Sequence, residues 1–243
     1  MRMRLVLPVL LWVVSCVVNA ATPEEKDAAR KVLLAGVKAI DVGGGALPGG
    51  FILAGDDSFP LADCRNSNGT AAAAAAAAFY GKGRSVFLAH PSYIDGRSIL
   101  RDTAVLLKNA IGWMAQGNEQ PQIAVLRSNA IVSAFKKLGY SNVKRISGMN
   151  EAAGCDVVLA NDVQLQDVTG VLDFVKSGGG YMAAPLGWGF LYFKPFANFS
   201  EDFIHNPHER HGNQTHQVID EVTGRDDVAT VVGVAVVLQK GVE

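Results

Sequence analysis

Four of the chain's five histidines lie in one polar stretch, HNPHERHGNQTH at positions 205–216, where they could ligate a metal. The zinc helix of a metallopeptidase requires the pattern HExxH, because histidines four residues apart project from one helix face. His208 and Glu209 begin this pattern, but Gly212 occupies the place of the second histidine. Because Pro207 and Gly212 interrupt any helix, we predict an exposed loop, with metal binding as the alternative. The ligands in that alternative would be His205, His208 and His211.

A second set of polar residues follows two apolar runs that are typical of buried strands. His90 ends the run VFLAH, and Asp56 and Asp57 follow FILAG at 51–55. If both runs are parallel strands, these side chains share the carboxyl edge of a sheet, where a histidine and an aspartate could act as a hydrolase pair. The favoured interpretation is structural: His90 caps a loop and the aspartates open a turn. The hydrolase hypothesis requires the three side chains to converge.

The segment GWGFLYFKPF, which begins at Gly187, is rich in aromatic residues. Exposed aromatic rings beside polar groups stack against sugar rings, which makes this segment a candidate glycan-binding surface. Packing of the same rings into a small core is the favoured alternative, because aromatic side chains are more often buried. The candidate ligand-binding residues are Trp188, Phe190 and Tyr192.

Three consecutive glycines, at 178–180, raise the question of phosphate binding. A phosphate cradle needs a strand, then glycines, then the N-terminus of a helix. Here the predicted helix precedes the glycines, so they are expected to end that helix and to admit a tight entry into the next strand.

The first 21 residues, MRMRLVLPVLLWVVSCVVNAA, have the pattern of a secretory signal peptide. Arg2 and Arg4 precede an apolar run at 5–18, and small residues lie at Ala20 and Ala21. We therefore expect cleavage after Ala20 and a secreted protein.

The charge balance of the remaining chain argues against nucleic acid as a partner. Removing Arg2 and Arg4 from the 22 basic residues leaves 20 against 23 acidic residues, so no basic excess remains. The last apolar run, 228–238, is too short to cross a bilayer. The mature protein is therefore expected not to span a membrane.

In the secretory pathway, cysteines could form disulfides and sequons could be glycosylated. Cys64 and Cys155 remain after loss of the signal peptide, and a disulfide and two separate thiols are equally consistent with the sequence. Three Asn-X-Ser/Thr triplets could carry N-glycans in a eukaryotic host. The acceptor asparagines are Asn68, Asn198 and Asn213.

The first half of the predicted mature chain reads as a helix, a hairpin and a second helix. Thr22 and Glu25 form a capping box ahead of a helical pattern. The alanine-rich run at 71–78 is predicted to pair, through a Gly-Lys-Gly turn at 81–83, with a strand at 85–89. A helix at 71–78 is the rival, because alanine has the highest helix propensity. Apolar spacing from Ile99 to Met114 predicts the second helix, ended by a glycine.

From residue 122 onwards, short strands and helices alternate, which predicts a parallel sheet with right-handed crossovers. The expected fold is α/β, flavodoxin-like and mainly parallel, with the N-terminal helix and hairpin as an extension. The expected divisions are a signal peptide at 1–20, the extension at 21–120, and an α/β core with its aromatic and histidine-rich tail at 121–243, which together with the extension forms one compact unit. The alternating segments are QIAVLRS, IVSAFKKLGY, VKRIS, CDVVLAND, DVTGVLDFVKSGG and GGYMAAPLG.

Several segments in order resemble one branch of the glutamine-amidotransferase-like superfamily. These are FILAGDDSFPLA, YGKGRSVFLAHPSYI, LKNAIGWMAQG, and CDVVLAND followed by DVTGVLDFVKSGGGYMAAPLGWGF. The branch is the N-terminal region of the enhancin-like, mucin-directed zinc metallopeptidases, shared with the TRP-channel-associated factors of animals. The resemblance covers about 30–204 and implies the class I amidotransferase-like fold. It also implies a place ahead of a zinc peptidase domain, whose HExxH motif is absent from these residues.

The segment that matches the nucleophile region of the amidotransferases contains no nucleophile. Enzymes of that superfamily carry a cysteine on a sharp turn from strand to helix. The matching segment, AAPLG at 183–187, has neither cysteine nor serine, and Cys155 begins a strand instead.

The sequence therefore predicts a secreted, non-catalytic binding module without a cofactor. The resemblance implies recognition of a glycan or a protein beside a metallopeptidase domain, or of a membrane-protein partner. The first alternative is a small hydrolase that uses His90 with Asp56 or Asp57. The second is a metal-binding secreted protein that uses the loop at 205–216.

Overall fold

A computed structural model of the chain describes residues 20–41, 50–51, 53, 56–65, 71–97, 99–161 and 167–185. These residues form helices, strands and two short 3₁₀ turns, at Pro91–Tyr93 and Met149–Glu151. The helices are α1 (Pro23–Leu33), α2 (Thr103–Met114), α3 (Asn129–Lys137) and α4 (Val168–Lys176). The strands are β1 (Ile40–Asp41), β2 (Ser58–Arg65), β3 (Ala71–Tyr80), β4 (Gly83–Leu88), β5 (Leu100–Arg101), β6 (Ile123–Leu126), β7 (Val143–Ile146), β8 (Val157–Ala160) and β9 (Gly180–Ala183).

A seven-stranded sheet with the order β2-β3-β4-β9-β8-β6-β7 organises the described residues. Strands β2, β3 and β4 are antiparallel neighbours, and the pairs from β4 to β7 are all parallel. If β6 to β9 are counted as the first four strands, the order is 2-1-3-4, as in flavodoxin-like sheets, with β4 in the fifth place. The predicted α/β fold with a mainly parallel sheet is confirmed, and β4 joins the hairpin to it.

The helices cover both faces of this sheet. Buried Leu33, Leu107 and Phe135 place α1, α2 and α3 on one face, in a single apolar cluster. Val171 and Val175 of α4 belong to the cluster on the other face. The chain changes face between the β6-α3-β7 crossover and the β8-α4-β9 crossover, which is the doubly wound arrangement.

The alanine-rich run forms β3, so the predicted hairpin is confirmed and the rival helix is wrong. Tyr80 pairs with Gly83 across a two-residue turn, and each of the alanines at 75–78 is fully buried between two strands. Pairing on both edges and burial on both faces outweigh the helix propensity of alanine, which amounts to a few tenths of a kcal/mol per residue, about 0.7 at most.

Three short elements differ from the sequence-based expectation. β2 is not predicted by the patterns above, although Phe59 is buried and Pro60 is exposed, as suits an edge strand. The predicted strand at 51–55 is described only at 51 and 53, where Phe51 forms an isolated bridge with Ala73. The second predicted helix begins only at Thr103, because the preceding residues form β5, which pairs with β1.

The three glycines end α4 as predicted. The N–H of Gly178 donates to Val175 O at 2.9 Å, and that of Gly179 donates to Phe174 O at 3.0 Å, the two bonds of a Schellman motif. Gly178 has a φ of 123°, which L-residues rarely adopt. Gly180 then enters β9 so closely that a Cβ would lie 2.5 Å from Met114 Cβ. These glycines are structural.

Candidate functional site

His90 lies two residues after the end of β4, at the carboxyl edge of the sheet, and is 7% exposed. Its Nδ1 accepts the N–H of Ser92 at 3.0 Å and so caps the turn Pro91–Tyr93. The proton of the neutral ring is therefore assigned to Nε2. One ring nitrogen is used as an acceptor and the other already carries a proton, so the neutral ring has no free lone pair for general base catalysis. The capping interpretation of His90 is confirmed.

An ion pair completes the loop that follows His90. Asp95 is 8% exposed and accepts from Arg97 twice, from the backbone N–H at 3.0 Å and from Nε at 2.7 Å. Burial lowers the pKa of His90, the nearby Arg97 guanidinium lowers it further, and Asp95 partly opposes both. The folded state therefore favours the neutral form of His90.

Acidification is expected to destabilise the protein through His90. Because the folded-state pKa of His90 is below the usual value of 6.5, the unfolded chain binds the proton more readily. The stabilising contribution is complete above pH ~6.5 and is lost as the pH falls towards the lowered pKa. His90→Asn keeps an acceptor for Ser92 N–H but cannot titrate. Urea unfolding at pH 7.5 and 5.5 should show a smaller loss in the variant, and equal losses would contradict this assignment.

Asp56 and Asp57 lie at the opposite edge of the sheet from His90. The three side chains therefore do not converge as the hydrolase hypothesis requires, and that expectation is wrong. The carbonyl of Asp57 accepts from Phe79 N–H at 3.2 Å, and Phe79 pairs with Arg84 at the start of β4. His90 follows Arg84 by six residues, which corresponds to about 20 Å along a strand. The physical reason is that the aspartates open β2 and do not close a parallel strand.

The structure also decides between the alternatives for the two cysteines. Cys155 is free. It precedes β8 at the amino edge, whereas Cys64 lies near the carboxyl end of β2, four strands away. Four strand spacings amount to about 19 Å, against the roughly 7 Å between Cα atoms that a disulfide tolerates. Cys64 and Cys155 therefore do not pair.

The switch point of the sheet lies between β6 and β8, where doubly wound folds bind ligands. Arg127 follows β6 with a φ of 57°, a left-handed conformation that costs a non-glycine residue about 1 kcal/mol or more. Its Nε donates to Ser147 O at 3.0 Å, which holds the guanidinium over the end of β7. Ser128 then caps α3 by accepting from Ile131 N–H. Arg127 therefore places a positive charge at the described part of this crevice, and Glu151, which accepts the N–H of Ser147, places a carboxylate near it.

A cavity of about 480 Å³ opens at the amino edge. The ends of α2 and α4 both contribute to its wall, and helix C-termini carry partial negative charge. Asp156 adds a carboxylate, which accepts from Gln122 N–H at 2.7 Å. The cavity therefore suits a cationic group better than an anion. The lining residues include Met114, Gln116, Cys155, Asp156, Phe174 and Gly178.

Several predicted site residues lie outside the described ranges. Within those ranges, no group of three or more histidine, cysteine, aspartate or glutamate side chains could hold a metal ion. None of the described helices is both long enough and apolar enough to cross a membrane. The residues outside the ranges are the aromatic candidates Trp188, Phe190 and Tyr192, the histidines His205, His208 and His211, and the sequon asparagines Asn68, Asn198 and Asn213.

Three exposed apolar residues lie on α1, β5 and α2, of which α2 contacts both of the others, and we call this region the Val105 face. Val32, Leu100 and Val105 are 52%, 44% and 37% exposed. Gly36, one helical turn after Val32, lies close to Val105, since a Cβ built on it would be 3.6 Å from Val105 Cγ1. Asn109 Nδ2 donates to two carbonyls at the end of α1 and fixes the junction. In the sequence, Val105 is an apolar residue that lies off the buried stripe of its helix.

The Val105 face is rimmed by positive charge. Segments 31–41 and 99–108 together carry four basic and two acidic residues. The Asp102 carboxylate accepts the N–H groups of Lys38 and Ala39 at 2.7 and 3.1 Å, and these bonds lower its pKa. The basic residues are Lys31, Lys38, Arg101 and Lys108, all exposed, and the acidic residues are Asp41 and Asp102.

The described residues thus define a flavodoxin-like α/β module. In it, His90 caps a turn, and exposed apolar residues lie on α1, α2 and β5. A family model described as "TRPM8, N-terminal domain" matches residues 4–208. The chain belongs to this family, that of the TRPM8 channel-associated factors. The resemblance found in the sequence to the N-terminal region of these proteins is confirmed.

Individual relatives agree with this assignment. TRPM8 channel-associated factor 3 of Rattus norvegicus is 32% identical over 165 residues, 67% of this chain and 16% of the relative. A TRPM8 channel-associated factor homolog of Xenopus laevis is 28% identical over 174 residues, 72% of this chain and 18% of the relative. The chain thus spans less than a fifth of the length of these relatives.

The chain also resembles a solved peptidase structure. The IMPa metallopeptidase from Pseudomonas aeruginosa aligns with a TM-score of 0.49 and 13% identity, over 66% of this chain and 20% of the peptidase.

Proposed function

We propose that this chain is a non-catalytic, protein-binding module that docks a membrane-protein partner through the Val105 face. The observation that supports this proposal best is the exposed apolar surface of Val32, Leu100 and Val105 inside a basic rim. Exposed apolar groups rimmed by charge are typical of protein interaction sites. The relatives are named as channel-associated proteins.

The chemistry of the face specifies the kind of segment it would accept. Four basic residues against two acidic ones favour an acidic segment, and the side chains of Val32 and Val105 favour apolar residues within it. Asp102 is engaged by two backbone N–H groups, so its carboxylate is already partly compensated. The proposed partner is therefore a membrane protein with an exposed segment that combines carboxylates with apolar side chains.

Secretion and glycan recognition belong to the same proposal as its finer parts. The signal-peptide pattern at 1–20 supports action outside the cell, and the sequons at Asn68, Asn198 and Asn213 would then carry glycans. A glycan ligand depends on Trp188, Phe190 and Tyr192. The Val105 face favours a protein partner. Binding of the chain to an array of mucin-type glycans tests whether it also recognises a glycan.

Adding negative charge to the Val105 face is expected to weaken partner binding at least tenfold, which corresponds to about 1.4 kcal/mol. Val105→Glu and Lys108→Glu each place a carboxylate against an acidic segment. Residue 105 lies in the first turn of α2, where glutamate is favourable, so the fold should tolerate the change. Binding of the purified chain to a TRPM8 channel in lipid nanodiscs, followed by biolayer interferometry, provides the measurement.

Lys137→Glu is the matched control, because Lys137 is an exposed lysine at the end of α3, distant in the sheet order from α1. It changes the net charge by the same amount as Lys108→Glu and should leave binding within about twofold, since exposed pairs contribute little. Equal losses for Lys137→Glu and Lys108→Glu would show that overall charge, and not the Val105 face, controls binding. A lack of saturable binding to the channel would overturn the proposed partner.

A further inference from the structure

A close contact joins the expected first residue of the mature chain to an aspartate. The backbone N of Ala21 lies 2.6 Å from Asp57 Oδ1, and both residues are half-buried. The preceding residue, Ala20, is exposed. Thus the nitrogen that signal peptidase would release already points at a carboxylate oxygen.

Neighbouring contacts fix this nitrogen in place. Thr22 and Glu25 form a reciprocal capping box, in which Thr22 N–H donates to Glu25 Oε2 at 2.7 Å. Lys26 Nζ donates to Asp56 O at 2.5 Å, and Arg30 donates to a carbonyl of β2. The first turns of α1 are therefore held along the start of β2, next to Asp57.

We propose that the Asp57 carboxylate is a binding site for the chain's own α-ammonium group, created by processing after Ala20. Hydrolysis breaks the bond between Ala20 C and Ala21 N, and water supplies OH to the Ala20 carbonyl carbon and H to the nitrogen. The free amine takes up a proton at neutral pH, because its usual pKa is about 7.7–8.0. The amide hydrogen bond to Asp57 then becomes a charge-assisted ion pair, which is stronger. This inference rests on the proposed secretion.

The ion pair has a defined dependence on pH. A carboxylate at hydrogen-bonding distance raises the pKa of an ammonium group, so the folded chain holds the proton more tightly than the unfolded chain. The stabilisation is therefore complete below about pH 7.7 and is lost as the pH rises through the raised pKa of the amine. Asp57 thus links removal of the signal peptide to the seating of α1 on β2.

The test uses the whole chain expressed through a secretory pathway, as wild type, Asp57→Asn and Asp56→Asn. Asp56 is the matched control, because its backbone carbonyl accepts from Lys26 and the substitution leaves that carbonyl in place. N-terminal sequencing of the secreted protein locates the cleavage. Thermal unfolding at low salt between pH 6.5 and 9.5 measures the ion pair. A fourth chain, with Gly-Ser inserted after Ala20, is still cleaved after Ala20, but its ammonium group then lies two residues before Ala21.

We expect the secreted wild type to begin at Ala21. Its midpoint of thermal unfolding should fall by several degrees between pH 7.5 and 9.5, and Asp56→Asn should show the same fall. Asp57→Asn and the inserted chain should have a lower midpoint at pH 7 and no such fall. If wild type begins at Ala21 but loses no more stability than Asp57→Asn, the ion pair is overturned while secretion stands. If wild type is not cleaved at this bond, processing is overturned, and a chain expressed to begin at Ala21 then tests the ion pair alone.

Discussion

Replacing Phe59 by alanine is expected to lower the free energy of unfolding by about 3–5 kcal/mol. Phe59 is 1% exposed and lies between β2 and the helices on that face. Its ring centroid is 6.0 Å from that of Phe79 and 6.3 Å from that of Trp113, in a T-shaped contact, and the Arg30 guanidinium lies 5.2 Å above it. Truncation therefore removes buried area, aromatic contacts and a cation–π contact together.

Urea unfolding of the purified chain measures this loss. Phe59→Leu should cost less, because leucine keeps much of the buried apolar area. Val32→Ala removes an apolar side chain from the surface and should change stability by no more than about 0.5 kcal/mol. A cost below about 1 kcal/mol for Phe59→Ala would contradict the burial of β2 against α2, because it would match an exposed site.

Gly83→Ala is expected to destabilise the protein by about 1–3 kcal/mol or more through overpacking. A Cβ on Gly83 would lie 2.1 Å from Val175 O and 2.3 Å from Gly179 O. Neither carbonyl can move freely, because Val175 O accepts from Gly178 N–H and Gly179 O accepts from Arg84 N–H. The hairpin turn must therefore separate from the end of α4 before the methyl group fits.

Gly112→Ala is the matched control for this substitution. Gly112 lies within α2, and a Cβ there would meet nothing within 4 Å. Alanine at that position should raise stability by about 0.5–1 kcal/mol, because glycine is unfavourable inside a helix. Thermal unfolding of both variants should give shifts of opposite sign. A gain for Gly83→Ala would show that the hairpin does not pack against α4 in solution.

The hairpin turn is fastened to α4 and α2 by more than the contact of Gly83. Lys82 N–H donates to Lys176 O at 3.1 Å, which satisfies a carbonyl at the helix end. Gln116 Nε2 donates both to Lys82 O and to Gly178 O, at 3.1 and 2.9 Å, and so joins two turns. The amino edge of the sheet is thus a braced junction, and the proposed binding face lies elsewhere, on the layer formed by α1 and α2.

Much of the fold follows from local sequence patterns. The alternation from residue 122 predicts four strands and two helices that the structure contains, because each crossover has a clear apolar period and a terminating glycine. Thr22 as the helix cap and 178–180 as the helix end are also correct, since caps depend on adjacent residues. The local patterns do not predict β1, β2 or β5, because a short strand depends on the partner that it meets.

Some properties of the site residues can likewise be predicted from local sequence, and others depend on the tertiary structure. Local sequence predicts that His90 follows a strand and caps a loop, because both features are set by its neighbours. The edge at which Asp56 and Asp57 lie, the separation of Cys64 from Cys155 and the exposure of Val105 depend on the tertiary structure. The reason is physical: strand order and helix packing bring distant segments together, and no local period records which segments will meet.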